Sequence, residues 1–143
     1  MTSEPISKNL FSLIATGKLS MPPSAALLGL KVDHAASGKV SLSMRAAASF
    51  LNPAGHVQGG MLAAMLDEAM GIATLTTLDQ GEYAVTLEMN VQFIGAATEG
   101  ELQAQGRLIH RTGKIVFVDA DLFQNEKLIA RATSTSVIKG AHK

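Results

Sequence analysis

Hydrophobic and polar positions change from a helical period to a period of two near residue 80 of this chain. Before that point, the segment from Gly60 to about Leu75 has no proline and is rich in Ala, Met and Leu, all strong helix formers. Its apolar residues fall nearly all round the cylinder, which predicts a long helix enclosed by the rest of the protein. After Asp79-Gln80-Gly81 the period drops to two. Tyr83, Val85, Leu87, Met89, Val91 and Phe93 alternate with Ala84, Thr86, Glu88, Asn90, Gln92 and Ile94. Gly95 and Gly100 frame a turn, and Leu102, Ala104, Gly106 and Leu108 alternate with Gln103, Gln105, Arg107 and Ile109. Arg111-Thr112-Gly113-Lys114 predicts a tight hairpin turn between two strands. Ile115 to Phe123, the turn Gln124-Asn125-Glu126, and Lys127 to Ile138 complete the run.

Upstream, Lys39 to Arg45 alternates as a half-buried strand, with Val40, Leu42 and Met44 on one face. Leu10, Phe11 and Ile14 predict a short amphipathic helix over Asn9 to Leu19. Pro22-Pro23 breaks the chain, and Ser24 to Leu28 makes one further turn. The sum is one α+β domain over residues 1–143, with 1–28 as a helical extension: a long helix followed by an antiparallel meander. One sheet wrapping one helix leaves apolar helix residues over, and a second copy on the open side covers them, so at least a dimer is expected.

Composition narrows the function. The 143 residues hold 12 Lys+Arg and 12 Asp+Glu, so no excess positive charge exists to grip a nucleic-acid polymer. There is no cysteine, which removes disulfides, thiolate metal sites and a Cys nucleophile. The four histidines lack metal-ligand spacing, so no metal is expected. Asp67 and Glu68 interrupt the longest apolar run, which argues against a membrane span, and the N-terminus has no export pattern; a cytoplasmic location follows.

The chemistry gathers between Asn52 and Asp67. Gly59-Gly60 stands where the loop becomes the helix. Glycine admits close approach, and the first helical N–H groups have no internal acceptor and lie at the positive end of the dipole. That combination suits a polarised carbonyl or an oxyanion, although a Gly-Gly pair that only permits a sharp turn reads equally well. Asp67 is a carboxylate in an apolar helix, a costly placement that suits a general base or nucleophile. Gly60 and Asp67 are seven residues apart on nearly the same helix face, roughly 10 Å along the axis. A single carbonyl cannot touch both within one subunit. If both act, they come from different subunits.

Asn52-x-x-Gly55-x-x-x-Gly59-Gly60 followed by Asp67 resembles the hotdog-fold acyl-CoA thioesterases of the PaaI-like group. The resemblance continues through Thr86-Leu87-Glu88-Met89-Asn90-Val91-Gln92-Phe93 and Gly106 to Lys114, covering about Leu28 to Ile138. It implies a sheet wrapped around the central helix, a homodimer with a continuous sheet, and often a homotetramer of two dimers. It implies that the Gly59 N–H polarises a thioester carbonyl, and that Asp67 of the facing subunit activates water or attacks. Asn52 and Thr86 assist. Acyl-CoA is then the substrate, and no separate cofactor is needed. For the coenzyme A portion the resemblance points to Gly60 and to the hairpin residues His110, Arg111, Thr112, Gly113 and Lys114, whose positive side chains suit phosphates.

One position departs from the pattern. Many members have His before Gly-Gly, and here it is Gln58, which can donate a hydrogen bond but cannot exchange protons near neutral pH. A hotdog hydratase or dehydratase uses a site histidine, so Gln58 counts against that alternative. A non-catalytic acyl-CoA binder is the other. Charge is also uneven. No Lys or Arg lies between Arg45 and Arg107, whereas residues 107–143 hold seven bases against three acids. An acidic middle and a basic end remain compatible with a small anionic nucleotide ligand.

Overall fold

The computed structural model describes residues 20–140, and the helix expected over Asn9 to Leu19 lies outside them. A short helix α1 (Pro23–Leu27) leads into strands β1 (Lys31–Ala36) and β2 (Lys39–Ala46). A 3-10 turn (Ala48–Phe50) and a loop then lead to the long helix α2 (Gly59–Leu75). Strands β3 (Glu82–Phe93), β4 (Gly100–Thr112), β5 (Ile115–Gln124) and β6 (Lys127–Gly140) follow. All strands pair antiparallel in one sheet of order β1-β2-β4-β5-β6-β3.

The sheet curls around α2, which packs against every strand. Leu62, Met65, Leu66, Ala69, Met70 and Ala73 of the helix meet Leu42, Met44, Leu102, Ala104, Val116, Val118 and Leu122 from the sheet in one core. Gly106 permits the closest approach. A Cβ there would stand 2.5 Å from the carbonyl oxygen of Ala69 and 2.8 Å from a methyl of Val40.

The structure revises the sequence reading in two places. First, β3 is not the neighbour of β4, as a simple meander requires. It forms the far edge beside β6, because β2 and β5 occupy both sides of β4. The connection after β3 is bound to β6, where the Ile94 and Gly95 N–H groups both donate to Ile129 O. Second, β1 was not foreseen. Its burial lacks clean alternation, and its register with β2 slips between Val32 and His34. The helix has the expected open side and is not wholly enclosed by its own chain. Gly60, Asp67 and Gly71 are exposed along one stripe, and Ala64 and Leu75 on the same stripe are half-buried.

The alternation along β3 also breaks. Thr86 pairs with Ser136 and Glu88 with Thr135, so Leu87 is an extra residue, a β-bulge. Before it the even-numbered Ala84 faces the helix; after it the odd-numbered Met89 and Val91 do. Unbroken alternation would have put Thr86 and Met89 on opposite faces.

Candidate active site

An open groove of about 340 Å³ runs along the uncovered stripe of α2. Its floor is Asp67, Glu68, Gly71, Ile72 and Leu75. One bank comes from Leu30, Val32 and the α1 region, the other from Ala84 and Thr86 of β3. β1 and β3 are the opposite edges of the sheet, so the groove is the seam where the curled sheet fails to close. The lining is mostly apolar, with its acidic groups confined to one end.

At that end each carboxylate meets a hydroxyl from a different bank. Thr86 Oγ1 lies 3.5 Å from Asp67 Oδ1, and Ser24 Oγ lies 3.5 Å from Glu68 Oε1. Asp67 is exposed, so the interior setting expected for it is not supplied by its own chain. Glu68 is half-buried. Burial, and then the adjacent Asp67 charge, raise its carboxyl above the usual range, while the Ser24 hydroxyl pulls the other way.

The other proposed chemistry sits at the N-terminus of α2. Gln58 is the N-cap, and its side-chain Oε1 accepts from the Met61 N–H at 3.2 Å. The N–H groups of Gly59 and Gly60 have no acceptor among the described residues, and therefore form an open donor pair at the positive end of the helix. Glycine leaves this end of the helix open for close approach. A Cβ on Gly59 would meet the Phe93 ring at 3.3 Å, and one on Gly60 would meet Gln58 Oε1 at 2.8 Å. Asn52 shapes the loop before the helix, where its Oδ1 accepts from the Ala54 and His56 N–H groups at 3.0 and 3.1 Å.

The structure thus brings Asp67 and Thr86 together, and separately Asn52, Gln58, Gly59 and Gly60. Within one chain the second set stands at the N-terminus of α2 while Asp67 lies at its middle, and neither Gly59 nor Gly60 lines the Asp67 groove. The hairpin residues His110, Arg111, Thr112, Gly113 and Lys114 are exposed and also lie outside that groove. Arg111 is partly committed. Its Nε donates to Gly113 O at 3.0 Å, and a terminal nitrogen lies 3.6 Å from Glu82 Oε2. Ser24 and the β1 bank were not singled out from the sequence, and Glu68 only as the neighbour of Asp67. The available signal was that Glu68 and Ile72 are one helical turn apart and so share a face.

Comparison with known proteins agrees with this fold and loop. The model of the thioesterase superfamily matches residues 54–130. A crystal structure from Ralstonia eutropha, described as a candidate thioesterase related to phenylacetic acid degradation, shares 36% identity and a TM-score of 0.84. The match covers 89% of this chain and 98% of that one. A Streptococcus mutans protein solved with acetyl CoA bound shares 25% identity and a TM-score of 0.72, over 80% and 91% of the two chains. A candidate esterase of Saccharolobus solfataricus is 25% identical over 136 residues, 92% of this chain and 90% of its own. The chain belongs to the thioesterase superfamily, within its PaaI-like hotdog group.

Among the described residues no group of three His, Asp or Glu side chains could hold a metal ion, and no helix is long and apolar enough to cross a membrane.

Proposed function

We propose that this protein hydrolyses acyl-CoA thioesters to a free acid and coenzyme A, as a homodimer whose sites each draw on both subunits. The observation that carries the reading is the pairing of Asp67 and Thr86 at the polar end of an otherwise apolar groove. The acyl chain lies in the groove. The thioester carbonyl oxygen accepts from the Gly59 N–H of the facing subunit, with Gln58 donating its side-chain amide and Asn52 holding the loop. Asp67, oriented by Thr86, takes a proton from water as the water oxygen bonds to the carbonyl carbon. The Gly59 N–H stabilises the negative charge that moves onto the carbonyl oxygen. When the carbon–sulfur bond breaks, its electron pair leaves on the sulfur of coenzyme A, which is protonated as Asp67 gives up the proton it took and returns to its carboxylate.

The dimer is supported by what β3 leaves uncovered. Leu87 is 59% exposed, and Tyr83, Phe93 and Ile94 more than half exposed, on an edge strand with unpaired backbone groups. Pairing of two β3 edges would cover these residues and bring one subunit's helix N-terminus toward the other's Asp67. The basic hairpin carrying Lys114 and His110 then receives the nucleotide phosphates, and two dimers can pair into a tetramer.

The test is a thiol-release assay over short, long and aromatic acyl-CoAs, with the assembly measured in parallel by sedimentation. Thiol release by a dimer or tetramer, lost in Asp67→Asn, supports the reading. Tight binding without turnover would turn it toward an acyl-CoA binder.

A further inference from the structure

The groove carries one group the hydrolytic mechanism does not use: Glu68, facing the α1 bank as Asp67 faces β3. We propose that Glu68 is a specificity-determining residue, selecting acyl groups with a hydroxyl near the thioester and rejecting those that carry a carboxylate. The proposal rests on the acyl-CoA thioesterase reading and deepens it.

The argument begins with what an acyl chain would touch. Past Asp67 and Thr86 the lining is Met21, Ala25, Leu30, Val32, Ile72 and Leu75, all apolar, and Glu68 is the acid set among them. An acyl chain laid in the groove removes water from that carboxyl. The one hydroxyl beside it, on Ser24, lies at the long limit of a hydrogen bond and engages only one of its two oxygens. An all-apolar chain therefore covers an acceptor it cannot satisfy, which is costly when the acceptor is charged. A chain with a hydroxyl supplies the missing donor. A chain with its own carboxylate adds a third negative charge beside Asp67 and Glu68.

Position fixes where the hydroxyl belongs. Glu68 follows Asp67 directly, about 1.5 Å further along the helix axis, whereas Leu75 at the far end of the groove is about 12 Å away from Asp67. The donor is read close to the reacting carbonyl, not at the chain's tail. The raised carboxyl of Glu68 accords with this, because its charged form is under-solvated before any substrate arrives.

The experiment compares kcat/KM for three acyl-CoAs of one length: pentanoyl, 3-hydroxypentanoyl and glutaryl. The proteins are the intact oligomeric wild type, Glu68→Gln and Glu68→Leu. Wild type should favour the hydroxylated chain over the plain one by about tenfold and reject the glutaryl chain more strongly still. Glu68→Gln should keep the hydroxyl preference, since an acceptor remains, and admit glutaryl. Glu68→Leu should erase or invert the hydroxyl preference. Substrate ratios do not move when a variant is merely less stable, and thermal unfolding of each variant shows that it is folded. The same ratios in all three proteins would overturn the assignment. If no acyl-CoA releases thiol, the hydrolytic reading has failed. The three dissociation constants by calorimetry then decide on Glu68 separately, and equal affinity ratios in wild type and Glu68→Leu count against it.

Discussion

Thr86 Oγ1 faces the Asp67 carboxylate at 3.5 Å, and β3 gains one residue at Leu87 immediately afterwards. The bulge lets a strand aim a hydroxyl at the helix and still bury Met89 and Val91 beyond it. The residue that positions the proposed base is thus set by backbone register.

Replacing Asp67 with Asn should lower kcat/KM by about a hundredfold or more, the range expected when a general base is lost. Because Asp67 is exposed, the melting temperature should hardly move. Thr86→Val should cost less, about tenfold, consistent with a hydrogen bond that orients the acid without doing its chemistry. Steady-state thiol release beside thermal unfolding checks both.

Gln58 separates capping from catalysis. Gln58→Ala removes the acceptor for the Met61 N–H and should cost about 1 kcal/mol of stability as well as activity. Gln58→Glu keeps an acceptor and places a negative charge at the positive end of the helix, so stability should hold. It loses the side-chain amide donor, so turnover should still fall. Equal activity in wild type and Gln58→Glu would show that the amide does not touch the substrate.

Gly106→Ala should be the most damaging single-methyl change in the sheet. The new Cβ would meet backbone of α2 at Ala69, which cannot step aside as a flexible side chain can. A loss of about 1–3 kcal/mol or more follows from overpacking of this kind, measurable by urea unfolding. Gly59→Ala meets only the Phe93 ring at 3.3 Å and should unfold at nearly the wild-type denaturant concentration.

Leu87→Lys places a charge on the exposed apolar edge of β3 without altering the core. Sedimentation should show monomers where the wild type is dimeric, and thiol release should fall with them. A monomer that hydrolyses as well as the wild type would exclude a site shared between subunits.

The raised Glu68 carboxyl makes stability depend on pH in a defined direction. A folded-state pKa above the unfolded value means that folding favours the protonated form. The penalty of carrying the charge is absent below about 4.3, the ordinary glutamate value, and grows as pH rises through the folded value. Glu68→Gln should therefore melt higher than wild type near neutral pH, with the gap closing as the pH falls toward 4. Differential scanning calorimetry across that range measures it.

The helix, the strands after residue 80 and the turns between them could be read from periodicity because their inward residues are mostly apolar, with Thr74, Ser134 and Ser136 among the buried exceptions. Gly113 likewise announced a turn that the backbone makes, and a short helix starts at Pro23. Partner choice among strands could not be read so, since alternation names a face and not a neighbour; hence β3 was set beside β4 when it lies beside β6. β1 escaped because Asp33-His34 and a slipped register hide its period. Around the site, the loop and the acid announced themselves chemically. The Thr86–Asp67 geometry depends on a bulge that leaves no mark in the pattern, and Glu68 gains its meaning from Ser24, 44 residues away in sequence.

The seam between β1 and β3 bears on how proteins of this design diverge. Its banks are opposite margins of one curved sheet, while Asp67 and the open N–H groups ride on a single stiff helix. A substitution that tightens or relaxes the curl shifts the margins against each other without disturbing the helix. The width of such a groove can therefore drift through changes on the solvent side of the sheet, while the groups carried by the helix keep their spacing.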